Sequence, residues 1–376
     1  MNGELFIGLM SGTSMDGIDA VLVKVPADDS SLQLLAHRHQ SFPSELSRQL
    51  HDLCRARHDD LHHWAIADQQ FARLCADLVN RLLADQGLAA DAIRAIGSHG
   101  QTVRHQPDAS PAYTLQLGDP NRLATLTGIA VVADFRRKDI ALGGQGAPLV
   151  PAFHHALFAS PEAPRAVLNL GGIANVTWLP GDRESVLGFD TGPANTLLDQ
   201  WYQRCYPDSL SDYDTNGELA SLGRVDARIL ETLLSDPYFH RPPPKSTGRD
   251  AFNLNWLAQQ LGDLDQFDAA DMQATLVELT AESVSRALKD WLPARPGTVY
   301  VAGGGAFNPV LMQALTRNLP ECHWHSTQKL GIHPQHVEAM AFAWLAQRYL
   351  QRLPGNLPAV TGASRSAVLG GLYLPD

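Results

Sequence analysis

The chain alternates between two patterns of apolar and polar positions. Short apolar runs predict buried β-strands at residues 5–10, 18–25, 93–98, 165–170 and 298–302. Apolar side chains that recur every three or four positions predict amphipathic helices, most clearly at residues 61–85 and 271–292. Strands that alternate with helices over this length predict an α/β fold.

The apolar runs at residues 5–10 and 18–25 enclose a turn of small and polar residues, and together they predict a β-hairpin. Gly12 and Gly17 let backbone N–H groups converge on an anion, and the hydroxyls of residues 11, 13 and 14 add donors. Asp16 and Asp19 can hold a hydrated Mg²⁺ beside a phosphate chain. A plain surface turn is the alternative, and it is the commoner interpretation of a single loop of this kind.

Two later segments repeat the plan of a strand that enters a glycine turn. They are LNLGGIANVTWL at residues 168–179 and VAGGGAFNP at residues 301–309. Their turn residues are Gly171, Gly172, Asn175, Gly303, Gly304 and Gly305. Consecutive glycines let a flat group lie against the backbone. The repetition predicts two related half-molecules.

Asp190 lies in VLGFDTGPANTLLDQW, residues 186–201. We predict a strand at residues 186–189 that ends just before Asp190, and a helix that opens at Gly192 and Pro193. The positive end of a helix dipole favours an ionised carboxylate or a nearby phosphate. The alternative is that Asp190 only caps the helix.

Other polar side chains follow strand ends or open a helix. His99 and Gln101 come directly after a predicted strand, where open α/β sheets bind ligands. Arg136 lies in a basic, glycine-rich stretch and suits an anionic group, although a solvated patch fits equally. Glu338 lies in the first turn of the helix predicted at 336–352, where it either complements the dipole or faces a ligand.

Residues 206–250 are predicted to be loop-rich. Within them, Lys245, Ser246, Thr247 and Arg249 either face a ligand or belong to a surface linker. A zinc site built from Cys322 and the histidines that follow it is rejected, because neighbouring positions of a strand point apart and HPQH lacks the spacing of HExxH.

Length and composition narrow the class of protein to which the chain can belong. A chain of 376 residues exceeds one growing core, so we predict two domains, residues 1–133 with 357–376 and residues 134–356. A net charge of −11 and the lack of basic or long apolar runs predict neither a nucleic-acid partner nor a membrane. Four dispersed cysteines and a start without signal-peptide features predict a cytoplasmic protein, and a homodimer is left open.

Glycine turns after strands, without GxxxxGK[ST], predict nucleotide binding of a non-P-loop kind. The arrangement resembles the superfamily of actin, sugar kinases and chaperone ATPases, although the usual DxGxT of the first hairpin reads GLMSGTS here. That resemblance implies an α/β, two-domain ATPase fold of the sugar-kinase type with a deep interdomain cleft. The aspartate usual on the first strand has no counterpart, so its role is not carried over.

A closer resemblance is to the anhydro-N-acetylmuramic acid kinases. It rests on the segments GLMSGTSMDGIDAVLV, SHGQTVRH, GGQGAPLVP, LNLGGIANVT, GFDTGPANTLLD and AGGGAFNP, in that order over nearly the whole chain. The resemblance implies an enzyme that uses ATP and Mg²⁺ to open 1,6-anhydro-N-acetylmuramic acid and phosphorylate its 6-oxygen, in murein recycling. It implies Asp190 as general base and His99, Gln101, Arg136 and Glu338 near the amino sugar.

The nucleotide-binding residues follow from the same resemblance. The ATP-phosphate turn would be Gly12, Thr13, Ser14, Met15, Asp16, Gly17, Ile18 and Asp19. Gly171, Gly172 and Asn175 would form the second phosphate turn, with residues 303–305 near the adenosine. Three alternatives stay open: a kinase of another amino sugar, a nucleotide-dependent switch protein of the same fold, and a glycosidase that needs no ATP.

Overall fold

The structure is a computed structural model that describes residues 3–12, 15–26, 32–54, 61–160, 162–249 and 251–376. The chain forms two compact units. Unit 1 comprises residues 1–157 and 336–376, and unit 2 comprises residues 158–335. Unit 2 is therefore continuous in sequence and is inserted between the two parts of unit 1.

The described residues form strands that alternate with helices. In chain order the strands are β1 (Glu4–Met10), β2 (Gly17–Val25), β3 (Gln33–Ser41), β4 (Ile93–Ser98), β5 (Gln101–Gln106), β6 (Tyr113–Leu117), β7 (Val131–Ala133), β8 (Arg165–Leu170), β9 (Ile173–Leu179), β10 (Leu187–Pro193), β11 (Thr298–Ala302), β12 (His323–Ser326) and β13 (Gly371–Tyr373).

The helices are α1 (Ser44–Cys54), α2 (Leu61–Gln86), α3 (Pro120–Thr127), α4 (Phe135–Ala141), α5 (Val150–Phe158), α6 (Asn195–Cys205), α7 (Glu218–Leu222), α8 (Ala227–Leu234), α9 (Pro237–His240), α10 (Leu254–Leu261), α11 (Ala269–Asp290), α12 (Pro309–Asn318), α13 (Val337–Leu350) and α14 (Pro358–Thr361).

The two units share one sheet topology. In unit 1, β1, β2 and β3 are antiparallel neighbours, while β4 pairs in parallel with β1 and β7 in parallel with β4. Unit 2 repeats this plan with β8, β9 and β10 antiparallel, then β11 and β12 parallel. The sheet orders are β13-β7-β4-β1-β2-β3 and β10-β9-β8-β11-β12. The repeated strand and glycine-turn segments thus belong to two related half-molecules.

Helices cover both faces of the unit 1 sheet. On one face, Ile7 and Leu9 of β1 join a buried cluster with Phe71 and Leu78 of α2. On the other, α13 approaches β1 and β4 so closely that only glycine fits. A Cβ at Gly8 would lie 1.9 Å from the carbonyl oxygen of Ala339. Gly97 meets Phe342 of the same helix in the same way, at 2.0 Å.

In unit 2, α11 lies in the centre of the core. Apolar side chains of β8, β9 and α6 surround it, and they include Leu168, Val176 and Trp201. The predicted helix at residues 271–292 is thus present two residues earlier, as Ala269–Asp290. Its start is set by Asp268, whose carboxylate accepts hydrogen bonds from the N–H groups of Ala270 and Asp271.

The domain limits predicted from composition differ from the limits of the compact units. The prediction places α4, α5 and α13 in the second domain, whereas all three lie in unit 1 except for Phe158 at the end of α5. Tertiary contacts explain the difference. Asp139 of α4 accepts hydrogen bonds from Asn356 and Thr361, and α13 packs on the unit 1 sheet.

Residues 206–250 are loop-rich as predicted, but they also contain three short helices that the prediction did not include, α7, α8 and α9. The capping signals were present in the sequence. Asp226 and Asp236 accept N–H hydrogen bonds at the starts of α8 and α9, and Pro237 occupies the first helical position of α9.

Candidate active site

The turn of the first hairpin is held from within by hydrogen bonds. The Ser11 hydroxyl lies 2.7 Å from the carbonyl oxygen of Gly17 and 2.6 Å from Gln101 Oε1, so its one proton is shared between two acceptors. The Gln101 amide donates in turn to the carbonyl oxygen of Gly12. Both side chains are buried. Gln101 therefore fastens β5 to the turn rather than pointing into solvent.

His99 supports the same turn from the end of β4. Its Nδ1 lies 3.0 Å from the carbonyl oxygen of Ser11, and its Nε2 accepts hydrogen bonds from Arg136 at 3.1 and 2.9 Å. Nδ1 must therefore carry the proton. Burial, and then the charge of Arg136, lower the pKa of His99 well below its usual value, so the ring is neutral. His99 thereby links Arg136 to the turn.

Met15 and Ile18 have buried side chains, so only their main-chain atoms are available to a ligand. Met15 adopts a positive φ of 54° and packs with Leu50 and Val103. The other two predicted turn residues, Thr13 and Ser14, lie outside the described residues. Gly12 and Asp16 are at least partly exposed and flank that gap.

Two carboxylates lie at the start of β2. Asp16 is exposed, and Asp19 is half-buried, with Oδ1 3.0 Å from His39 Nδ1. This hydrogen bond raises the pKa of His39, while burial lowers it. Within the described residues, no group of three or more His, Cys, Asp or Glu side chains is arranged for a metal ion. Two carboxylates still fit Mg²⁺ that arrives with a nucleotide, because kinases bind it through one or two carboxylates, phosphates and water.

Glu338, at the start of α13, is half-buried within unit 1. Burial raises the pKa of its carboxyl group, Arg136 opposes that rise, and Asp19 adds to it. Arg136 and Asp19 therefore lie close enough to Glu338 to affect its pKa. Hydrogen bonds connect Ser11, His99, Gln101 and Arg136 in unit 1, and Glu338 is linked to Arg136 and Asp19 through electrostatics alone.

We expect Glu338→Gln to raise the melting temperature at about pH 7.5, because ionising a half-buried carboxyl group costs folding free energy. The folded-state pKa is raised, so this cost appears as the pH rises above the unfolded value of about 4.3. The melting temperatures of the two proteins should therefore converge near about pH 4. Scanning calorimetry across this range measures the effect. Glu162→Gln, at an exposed position, is the control. An equal rise of the melting temperature in both variants would contradict the expectation for Glu338.

The turn of the second hairpin lies in unit 2 between β8 and β9. The carbonyl oxygens of Gly171 and Gly172 accept hydrogen bonds from the backbone N–H groups of residues 194–196, each at 3.0 Å. The first amides of α6 are thus already bonded to the turn. This arrangement fixes the turn on the helix, and it leaves these amides unable to bind a phosphate as well.

The third glycine segment packs directly on the second hairpin. A Cβ at Gly303 would lie 2.6 Å from Asn169 Oδ1, and one at Gly305 would lie 2.6 Å from Leu170 Cβ. Gly304 is exposed, with only Asn195 Nδ2 at 3.7 Å from such an atom. Gly303 and Gly305 are therefore required by packing, and Gly304 is the most exposed glycine of the segment.

Asp190 lies within β10 rather than at its end. The strand continues through Gly192 to Pro193, and α6 begins only at Asn195, so the predicted helix start at Gly192 and Pro193 was wrong. Pairing with β9 extends the strand across an irregularity in register between Asp190 and Gly192. Asp190 stands opposite Asn175 in this pairing, which brings two predicted site residues together.

A nearby segment holds Asp190 at three of its atoms. Its carboxylate Oδ2 accepts a hydrogen bond from Thr247 N at 2.8 Å, and its N–H donates to the carbonyl oxygen of Lys245. Its carbonyl oxygen accepts from the Tyr238 hydroxyl at 2.8 Å. No sequence pattern distinguishes Tyr238 as a site residue. For Lys245 and Thr247 the sequence leaves open whether they face a ligand or belong to a surface linker.

The cysteine and histidines of the rejected zinc site contact other groups. Cys322 Sγ donates to the carbonyl oxygen of Pro296, His325 contacts Lys329, and His333 stacks on Phe307. All four cysteines lie within the described residues as thiols rather than disulfides. Among the described residues, no helix is both long and apolar enough to cross a membrane.

Two units of one topology, each with a glycine turn in its first hairpin, define an actin-like ATPase fold of the sugar-kinase type. The chain is a kinase of this class. Within it, the chain belongs to the anhydro-N-acetylmuramic acid kinase family, whose model matches residues 4–375.

Two relatives of similar length support this membership. Anhydro-N-acetylmuramic acid kinase of Shewanella sp. (strain ANA-3) is 52% identical over 373 residues, covering 99% of each chain. The enzyme of the same name from Shewanella sediminis is 52% identical over 377 residues, covering 100% of each. Component A of (R)-2-hydroxyglutaryl-CoA dehydratase from Acidaminococcus fermentans, a solved structure, has a TM-score of 0.48 at 13% identity. It covers 90% of this chain and 96% of its own.

Proposed function

We propose that this kinase uses ATP to open 1,6-anhydro-N-acetylmuramic acid and to phosphorylate its 6-oxygen, with Asp190 as the general base. The product is N-acetylmuramic acid 6-phosphate, and the role is murein recycling, as for its family. The observation that carries the assignment of the base is the carboxylate of Asp190, which Thr247 orients through one oxygen.

The reaction makes and breaks a balanced set of bonds. A water oxygen attacks the anomeric carbon while Asp190 takes the water proton. The bond between that carbon and the 6-oxygen breaks, and the 6-oxygen accepts the γ-phosphoryl group as ADP departs. The phosphoryl group takes the place of a proton on the leaving oxygen. One carboxylate is therefore sufficient, whereas ordinary glycosidases need two.

The glycine turns supply the grip on ATP in this proposal. The phosphates are bound by the main chain of the first turn, from Gly12 to Asp19, and by a second turn made of Gly171, Gly172 and Asn175. The adenosine lies near residues 303–305, of which Gly304 is exposed. Asp16 and Asp19 would hold Mg²⁺, which neutralises phosphate charge when bound. The hydrogen bonds of Ser11 connect the end of β1 to Gly17 at the start of β2 and to Gln101 of β5, beside this turn.

Sugar recognition involves Arg136 and Glu338 in the proposal. Arg136 is half-buried and held by His99 and by the carbonyl oxygen of Gly146, which limits the directions open to its guanidinium group. A guanidinium group suits a carboxylate such as the one on the lactyl group of the sugar. Both His99 and Gln101 have buried side chains, so His99 would act on the sugar through Arg136 and Gln101 through its hydrogen bond with Ser11.

We place the enzyme in the cytoplasm, with ATP and the amino sugar as its partners and no nucleic acid or membrane. Four cysteine thiols fit a reducing compartment. The net charge of −11 disfavours nucleic acid.

The decisive experiment runs the reaction with ATP in ¹⁸O-water and analyses the sugar by tandem mass spectrometry. We expect one labelled oxygen at the anomeric carbon and none in the phosphate ester, because water attacks carbon and the 6-oxygen comes from the bridge. ADP should appear in step with the product. Unlabelled product held in ¹⁸O-water for the same time corrects for exchange of the anomeric hydroxyl.

The same assay separates the other candidate functions. Label in the phosphate ester would contradict the proposed order of bonds. Phosphorylation of open amino sugars as readily as the bridged one would indicate a conventional amino-sugar kinase. Sugar opening without ATP would indicate a glycosidase, and ATP hydrolysis that ignores the sugar would indicate a switch protein.

A further inference from the structure

A lysine is buried next to the proposed base. Lys245 is only 5% exposed, which is rare for lysine unless its charge is satisfied. Its Nζ donates to the carbonyl oxygen of Tyr238 at 3.2 Å and lies 4.7 Å from the centre of the Tyr238 ring. Both contacts are made to one residue, so the ammonium group ties the backbone at residue 245 to α9.

The same two residues hold Asp190 from two sides. Tyr238 donates its hydroxyl to the carbonyl oxygen of Asp190, and the carbonyl oxygen of Lys245 accepts the Asp190 N–H. Two residues further on, the Thr247 N–H binds the Asp190 carboxylate. We call residues 238–247 the strap. Its position relative to β10 sets the direction of the carboxylate.

We propose that Lys245 is a positioning residue for the reaction, whose buried ammonium group closes the strap and keeps the Asp190 carboxylate in one orientation. This inference rests on the proposed function of Asp190 as the base. A neutral side chain would still fill the space, but it would lose the attraction to the Tyr238 ring.

The charge of Lys245 is also poised to change near neutral pH. Burial and the nearby Arg241 lower its pKa to about 8, while Asp190 opposes them. Burial is the main cause that raises the pKa of Tyr238, so its phenol keeps its proton. The ammonium group is therefore charged below about pH 8 and is lost above it.

The test is the pH dependence of kcat in three variants, with ATP and sugar saturating. In the natural enzyme kcat should fall as the pH rises through about 8. Arginine keeps its charge throughout this pH range, so in Lys245→Arg the fall of kcat should move to higher pH. Lys245→Met should lower kcat by on the order of 10–10²-fold. It should also abolish the fall near pH 8 and leave KM for ATP little changed.

Lys289→Met is the matched control, because Lys289 is an exposed lysine of unit 2 that also donates to a carbonyl oxygen. It should behave as the natural enzyme. Calorimetry on each variant shows whether it is folded, and if Lys245→Met is not, the shift in Lys245→Arg still decides. An unchanged pH profile in Lys245→Arg would overturn the inference.

Asp190→Asn, assayed in parallel, separates this inference from the proposal beneath it. Full turnover in Asp190→Asn would remove Asp190 as the base, and the inference with it. Loss of turnover in Asp190→Asn, together with an unchanged pH profile in both Lys245 variants, would reject only the role of Lys245.

Discussion

Asp190→Asn should lower kcat by on the order of 10²–10⁴-fold, the usual contribution of a positioned general base. The amide keeps the shape of the carboxylate, and its oxygen can still accept the Thr247 N–H. What it loses is the ability to take a proton from water. Because Asp190 belongs to neither of the two proposed phosphate turns nor to the proposed adenosine segment, the affinity for ATP should be retained.

Steady-state kinetics with the bridged sugar, and calorimetric titration with an ATP analogue, measure the two effects separately. Asp182→Asn is the matched control. Asp182 is an exposed aspartate of the same unit whose carboxylate also accepts backbone N–H hydrogen bonds, from Glu184 and Ser185. Turnover within about twofold of the natural enzyme in Asp190→Asn would remove this residue from the mechanism.

Gly8→Ala should destabilise the protein by at least ~3 kcal/mol, the upper part of the range for overpacked cores. The added methyl group would lie 1.9 Å from the backbone oxygen of Ala339, and 2.9 Å from the backbone nitrogen of Ala343. Neither atom belongs to a side chain that can rotate away. The helix α13 would have to move off the sheet, and the buried surface between them would open.

Urea unfolding followed by circular dichroism measures this loss. Gly297→Ala is the control, because nothing lies within 4 Å of a Cβ at that position and its φ is not positive. A stability of Gly8→Ala equal to that of the control would mean that α13 does not pack on β1 as described.

The first hairpin shows how much of the fold local sequence determines. Strands predicted at residues 5–10 and 18–25 are present as Glu4–Met10 and Gly17–Val25. Both are largely apolar runs, the second interrupted by Asp19 and Lys24, around a turn of glycine, serine and aspartate, so propensity, pattern and tertiary structure agree there. The helix predicted at 61–85 matches Leu61–Gln86 for the same reason.

β10 shows where local sequence fails. Gly192 and Pro193 are typical of a helix start, yet they form the end of a strand, because Ala174 and Ile173 of β9 pair with them. The partner that decides the outcome is distant in the sequence, and a single chain carries no local sign of it. The start of α6 moves to Asn195 as a result.

The polar residues of the candidate site could be predicted from the sequence, but the hydrogen bonds that connect them could not. Strand ends drew attention to His99, Gln101 and Asp190, and their hydrogen bonds now link them to Ser11 and Thr247. Lys245 could be selected only as an ambiguous polar residue, because burial of a lysine depends on what surrounds it. At Gly303 and Gly305 the space that a Cβ would need is occupied by Asn169 and Leu170, a packing reason for glycine that the sequence pattern does not reveal.

The interrupted layout of unit 1 affects the order in which a ribosome can complete the molecule. The face of the first sheet that presents Gly8 and Gly97 is covered by Val337–Leu350, which is translated only after all of residues 158–335. The strands β1, β2, β3, β4 and β7 of this sheet must wait uncovered on that side while the inserted unit emerges as an unbroken stretch. A nascent chain that stalls before residue 337 therefore exposes an apolar sheet face, the kind of surface that chaperones recognise.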